Sequence, residues 1–203
     1  MAYIDEPARI PWYLRLALRA AEKKTGRRML PGRLLAWHPR SALGAGLLEA
    51  LVTHRDREIP PRLLKLVRVQ VSFQASCRFC IDMNAFGFQE SGISPGEILA
   101  LQKPEGPSAG DGFSPRELVA LAWVRGLTAT PIRVEPEVLA EVKRLFSPRA
   151  LVILSATASQ VNFWTRLIQG LGIPPAGFHE SCTVLNLDSY GTLRSGESNP
   201  PRP

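Results

Sequence analysis

Three times in this chain a serine–proline pair opens a run of apolar residues at helical spacing: Ser94-Pro95-Gly96-Glu97, Ser114-Pro115-Arg116-Glu117 and Ser147-Pro148. A serine hydroxyl satisfies the free N–H groups of a first helical turn, and proline suits the first helical position. In the first two runs an acid three residues after the serine completes a reciprocal cap. The third run carries Leu151 through Leu171 to a stop at Gly172. Upstream, Trp12 to Lys24 places Leu14, Ala17, Leu18 and Ala21 on one face and ends at Gly26. Ser41 to His54 does the same with Leu43, Leu47, Leu48 and Leu51, and Pro60-Pro61 opens a segment carrying Leu63, Leu64, Leu66, Val67 and Val71 almost to Cys77. Lys103 to Gly112 reads as a loop. Alternation at period two never persists, with Thr183 to Leu187 the best strand candidate, so the expected class is all-α.

The 203 residues, 45% apolar and 21% charged, suit one globular core rather than a disordered chain. The longest stretch free of charge, Ala150 to Thr165, is shorter than the roughly 20 apolar residues of a membrane span, so none is expected. No secretory apolar core is present near the start, and Asp5 and Glu6 are unlike a transit peptide, which makes the cytoplasm the expected compartment. The net charge of +7 is uneven: residues 1–40 hold nine Lys or Arg against three acids, and the remainder sixteen against fifteen. No interleaving of aromatic and basic residues accompanies that bias, so no nucleic-acid partner is expected. The chain therefore divides into a basic helical N-terminal extension (1–37), a helical domain (38–178) and a C-terminal tail (179–203). The tail's end, Gly191 to Pro203, is polar and rich in Ser, Pro and Gly, and is expected to be partly disordered.

Of the three cysteines, Cys77 and Cys80 form a Cys77-Arg78-Phe79-Cys80 motif. Two intervening residues bring both sulfurs together when the first sits at a helix start, with Ser76 the expected cap. The terminus there offers N–H groups and partial positive charge that favour a thiolate. A reactive thiol beside a partner thiol supports oxidation and resolution to a disulfide with no bound cofactor. Two other readings use the same residues: buried apolar cysteines, or a Cys₃His zinc site from Cys77, Cys80, His179 and Cys182. Trp123 and Trp164 lie in apolar helices and read as core or subunit contact, and neither His38 nor His54 is expected at a site.

The run Pro61 to Asn84, PRLLKLVRVQVSFQASCRFCIDMN, resembles the core motif of the carboxymuconolactone decarboxylase and alkylhydroperoxidase D-like superfamily. Gly92 to Ile98, Phe113 to Glu117, and Asn162 to Arg166 ahead of Leu171-Gly172-Ile173-Pro174 fall where that family has its later helices. The resemblance implies an alkylhydroperoxidase D-like helical domain, a multi-helix orthogonal bundle, assembled as a homotrimer or homohexamer. In the family's peroxidase branch the second cysteine attacks the peroxide and the first resolves the sulfenic acid. That implies Cys80 as the peroxidatic thiol and Cys77 as the resolving one. The branch's proton relay uses a glutamate and two histidines, whose positions hold Lys65, Phe79 and Asn84 here. Lys65 is then a cation able to stabilise a thiolate, and it would move protons only if strongly desolvated. Asn84 can donate a hydrogen bond or orient a water. Asp82, the acid within a turn of Cys80, is a further auxiliary candidate.

These readings converge on a thiol-dependent oxidoreductase with peroxidase-like activity. It would reduce a small peroxide or exchange disulfides, with a lipoyl or thioredoxin-like thiol donor as reductant. A carboxymuconolactone decarboxylase-type lyase is one alternative. A non-catalytic helical oligomeric module with structural or zinc-binding cysteines is another.

Overall fold

A computed structural model describes residues 2–50 and 55–178. Among the described residues the chain is all-helical: α1 (Trp12–Thr25), α2 (Leu30–Leu35), α3 (Pro39–Ala50), α4 (Pro61–Gln74), α5 (Arg78–Ala85), α6 (Pro95–Leu101), α7 (Pro115–Thr128), α8 (Pro136–Leu145) and α9 (Pro148–Gly170). Short 3₁₀ turns occupy Gln89–Ser91 and, inside the expected loop, Ala109–Asp111. The strand candidate Thr183 to Leu187 and the tail from 179 lie outside the described residues, as do residues 51–54.

The Ser94 and Ser114 caps form as expected, each hydroxyl accepting the N–H of Glu97 or Glu117 while the glutamate carboxylate returns to the serine N–H. Ser147 caps α9 through the N–H of Ala150. The two glutamates do a second job. Arg62, in the first turn of α4, bonds Glu117 at 2.7 Å and also pairs with Glu97, so one guanidinium fastens the starts of α6 and α7 to α4.

Helix α4 is the centre of the molecule. From Leu63 to Phe73 every residue is buried except half-buried Lys65, which requires neighbours on all sides. Those neighbours are α5, α7 and α9. Leu63, Leu64, Val67 and Val71 meet Ala120, Val124, Val142, Leu154 and Ala158 in one cluster. On the other side, Leu66, Val69 and Phe73 meet Ile81, Phe88, Ile98 and Leu121. Most of the apolar face of α9 is spent inside this chain, leaving Val152 and Phe163 exposed.

The N-terminal segment is fastened at several points. Tyr3 N–H donates to the Leu171 carbonyl at 2.9 Å, and Trp37 Nε1–H donates to the Asp5 carbonyl at 2.8 Å. Glu22 of α1 accepts two bonds from Arg33 of α2, at 2.7 and 2.8 Å. Leu34 of α2 is buried against Cys77, Phe79, Cys80, Ile168 and Ile173, so residues before 38 supply part of the packing behind the cysteines.

Candidate functional site

The cysteine pair sits where α4 hands over to α5. Ser76 adopts a left-handed backbone (φ 50°) that reverses the chain. It therefore does not cap the next helix, contrary to expectation. Cys77 takes that place in extended conformation, and its sulfur accepts the Cys80 N–H at 3.3 Å. Both cysteines are free of any disulfide and almost wholly buried.

Charge divides unequally between them. The Cys80 thiol donates to Cys77, and this bond, with the N–H groups of Cys80 and Phe79, holds Cys77 below the ordinary thiol range against the opposing effect of burial. Burial pushes Cys80 up, and its hydrogen bond to Cys77 pushes the same way. Of the two sulfurs, Cys77 is the one whose surroundings favour the anion and Cys80 the one held as the thiol. The helix start thus stabilises the first sulfur, whose own backbone position faces the free N–H groups.

Access divides the other way. A pocket of about 220 Å³ is lined by Cys80 but not by Cys77. Its walls come from four helices: Glu49 of α3, Lys65 and Arg68 of α4, Met83 and Asn84 of α5, and Gln160, Val161 and Trp164 of α9. Met83, Val161 and Trp164 make one side apolar. Glu49 closes another, accepting from Trp164 Nε1–H at 3.1 Å and from the Gln160 amide.

The two cations come from successive turns of α4, where residues three apart share a face. Burial, and then the Arg68 guanidinium, push the Lys65 ammonium down to about 8, with Glu90 pulling the other way. Burial also lowers Arg68, opposed by Glu49. Lys65 donates to the Phe86 carbonyl just past α5. Partial burial thus moves this lysine in the direction that a proton-moving role requires.

The structure thus brings Cys80, Lys65 and Asn84 to one pocket, with Cys77 directly behind. Asn84 Nδ2 donates to Ser72 Oγ at 3.0 Å, which orients its amide. Asp82 does not line the pocket. Its buried carboxylate accepts the N–H groups of Ala176 and Gly177 at 2.8 and 2.9 Å, fixing the segment after α9 onto α5. Phe79 is core. His179 and Cys182 of the alternative zinc set lie outside the described residues. Among the described residues no three His, Cys, Asp or Glu side chains gather as a metal site. Sequence reasoning did not anticipate Glu49, Arg68 or Gln160 at the site. Arg68 carried a signal, an arginine that with Lys65 and Gln70 interrupts the apolar stretch Leu63 to Val71.

The chain matches no known family profile. It is similar to an uncharacterized protein, YdfG, of Bacillus subtilis, with 28% identity over 109 residues that span 53% of this chain and 72% of that protein. Among solved structures it is similar to a cysteine-to-alanine variant of the debrominase Bmp8 in complex with 2,3,4-tribromopyrrole. That match has a TM-score of 0.75 and 16% identity, and covers 94% of this chain and 100% of that one. Coverage of 94% must take in part of residues 1–37 as well as the helical domain. It is also similar to a peroxidase-related protein from Ralstonia eutropha described as an alkylhydroperoxidase AhpD core, with TM-score 0.71, 14% identity and coverage of 86% and 92%. A peroxidase-related protein from a Silicibacter species gives TM-score 0.73, 14% identity and coverage of 88% and 94%. At such identities what is shared is the fold.

Proposed function

We propose that this chain, which has the alkylhydroperoxidase D-like helical fold, is a thiol-dependent oxidoreductase that reduces a small peroxide through Cys80 and Cys77. The observation that carries the reading is the division of labour in the pair. Cys80 faces a pocket that a small molecule can enter, and Cys77 behind it is the sulfur whose surroundings favour the anion, the form that takes the Cys80 proton.

The electrons balance within the pair, and the protons balance with one acid beside it. Cys77 accepts the Cys80 proton, and the Cys80 thiolate attacks the distal peroxide oxygen. The O–O bond breaks, leaving a Cys80 sulfenic acid and an alkoxide, which takes one proton from an acid beside the pair to leave as the alcohol. Cys77 then loses its proton and attacks the Cys80 sulfur, and water leaves as the disulfide forms. The two electrons come from the cysteine pair. A lipoyl or thioredoxin-like dithiol donor restores them, or equally enters as the partner in disulfide exchange. The cytoplasm, a reducing compartment that returns such a pair to the dithiol, is the location this reading proposes. The exposed Leu43 and Leu47 of α3 and Val152 of α9 suit burial in a homotrimer or homohexamer. Among the described residues no helix is long and apolar enough to cross a membrane.

Thiol mass analysis after stoichiometric peroxide tests this reading. Wild type is expected to consume peroxide and lose two hydrogens as the Cys77–Cys80 disulfide forms. Cys80→Ser is expected to consume none, and Cys77→Ser to stop at the sulfenic acid. A wild-type protein that consumes no peroxide and forms no disulfide sinks the proposal.

A second reading is dehalogenation, because the likeness to the debrominase covers that protein's whole chain and the pocket has an apolar wall of Met83, Val161 and Trp164. Offering 2,3,4-tribromopyrrole in place of peroxide and measuring bromide release separates the two.

A further inference from the structure

We infer that Lys65 is the general acid of this site, its ammonium supplying the proton that the leaving oxygen of the peroxide takes as the O–O bond breaks. The inference rests on the redox reading above. It supplies what that reading lacks, since the family's glutamate and histidines are absent from positions 65, 79 and 84.

Placement and elimination among the groups that face the pocket single this residue out. An alkoxide or hydroxide is a poor leaving group unless protonated as it departs, and a positioned acid gains roughly 10²–10⁴ in rate. From α4, Arg68 carries charge but cannot release a proton. From α3, the Glu49 carboxylate is already an acceptor for Gln160 and Trp164. From α5, the Cys80 proton is committed to Cys77 and Asn84 does not titrate. From α9, Gln160 is neutral. From the turn after α5, Glu90 acts on Lys65 at a distance and does not line the pocket.

Lys65 remains. It lines the same pocket as Cys80, and among the described residues the Phe86 carbonyl is its one hydrogen-bond partner, leaving two of three N–H bonds to serve a ligand. Burial and Arg68 bring its acidity to about 8, close to neutrality, where proton transfer is most effective. The balance closes. Reducing one hydroperoxide to alcohol and water consumes two protons, one from Cys80 by way of Cys77 and one from Lys65. The site ends as a disulfide beside a neutral amine, which regains its proton from solvent.

The experiment compares two oxidants on the full chain. tert-Butyl hydroperoxide releases an alkoxide that needs a proton, whereas peracetic acid releases acetate, which does not. Lys65→Gln and Lys65→Arg are both expected to slow Cys80 oxidation by tert-butyl hydroperoxide by about 10²–10⁴, and both to keep most of their rate with peracetic acid. That retained rate also shows that the variants are folded. With tert-butyl hydroperoxide, wild-type kcat/KM should fall as pH rises through about 8, where Lys65 loses its proton, and this limb should vanish in Lys65→Gln. If Lys65→Arg matches wild type with tert-butyl hydroperoxide, positive charge alone suffices and the inference is overturned. Equal losses with both oxidants overturn it too, since a structural role would not distinguish leaving groups. In either of those outcomes a wild type that consumes both oxidants still upholds the redox reading. Wild type consuming neither overturns the redox reading and this inference together.

Discussion

The first turn of α4 and the face one turn later both present cations, and their surroundings are opposite. Arg62 is met by two carboxylates, Glu97 and Glu117, whose bonds to it raise its affinity for its proton despite burial. Half-buried Lys65 and buried Arg68 have less compensation, and burial lowers both. A cation matched by carboxylates on neighbouring helices is fastening. A cation held in a pocket beside a thiol, with its charge opposed by its surroundings, is where proton and electron chemistry is arranged. The comparison predicts that damage at Arg62 is read in stability, and damage at Lys65 in rate.

Arg62→Met should show the largest stability effect. Glu97 is 8% and Glu117 14% exposed in their side chains, so the variant strands two carboxylates in partly dry surroundings. The expected cost is about 2–4 kcal/mol, below the full value for a buried pair because Arg62 itself is 25% exposed. Denaturant unfolding measures it. Lys65→Gln should cost far less, since it removes a cation that burial already disfavours. If Lys65→Gln proves the more destabilising of the two, the contrast between the two turns is wrong.

Acid should reveal the same contrast at wild-type positions. Burial pushes Glu97 up, but Arg62 and the Ser94 cap outweigh it and hold the carboxyl below its usual range. Arg33 holds Glu22 at about 2, against burial. A depressed carboxyl contributes stability that is present above its unfolded value near 4.5 and is lost as pH falls through the folded one. Melting temperature should therefore decline below about pH 4.5, and part of that decline should disappear in Arg62→Met. An unchanged acid limb in the variant would mean that Glu97 draws nothing from Arg62.

Much of this frame is legible in the sequence, because serine–proline caps and the Cys77–Cys80 spacing act locally. What escapes is whatever depends on distant or unusual backbone. Helix α2 is six residues interrupted by Pro31 and Gly32, too short for periodicity to register. Helix α8 starts at Pro136 without a side-chain cap, since Glu135 stands where the other late helices have serine. Ser76 looks like a cap by residue type and loses the role to its positive φ. The site is half legible: Lys65, Cys80 and Asn84 lie on two consecutive helices, whereas Glu49 and Gln160 arrive from α3 and α9, 111 residues apart. The desolvation that changes what Lys65 can do exists only once α4 is enclosed.

The smallest effect is the most discriminating. Ser114→Ala removes the hydroxyl that accepts the Glu117 N–H, and a lost cap costs about 1 kcal/mol. The Glu117 carboxylate stays on Arg62, so the start of α7 keeps one anchor in that variant and loses the other in Arg62→Met. Because the two anchors share one glutamate, combining the substitutions should cost more or less than their sum, by at least about 0.5 kcal/mol in a double-mutant cycle. Strict additivity would mean that cap and ion pair are independent, and that the first turn of α4 fastens its neighbours through Glu97 alone.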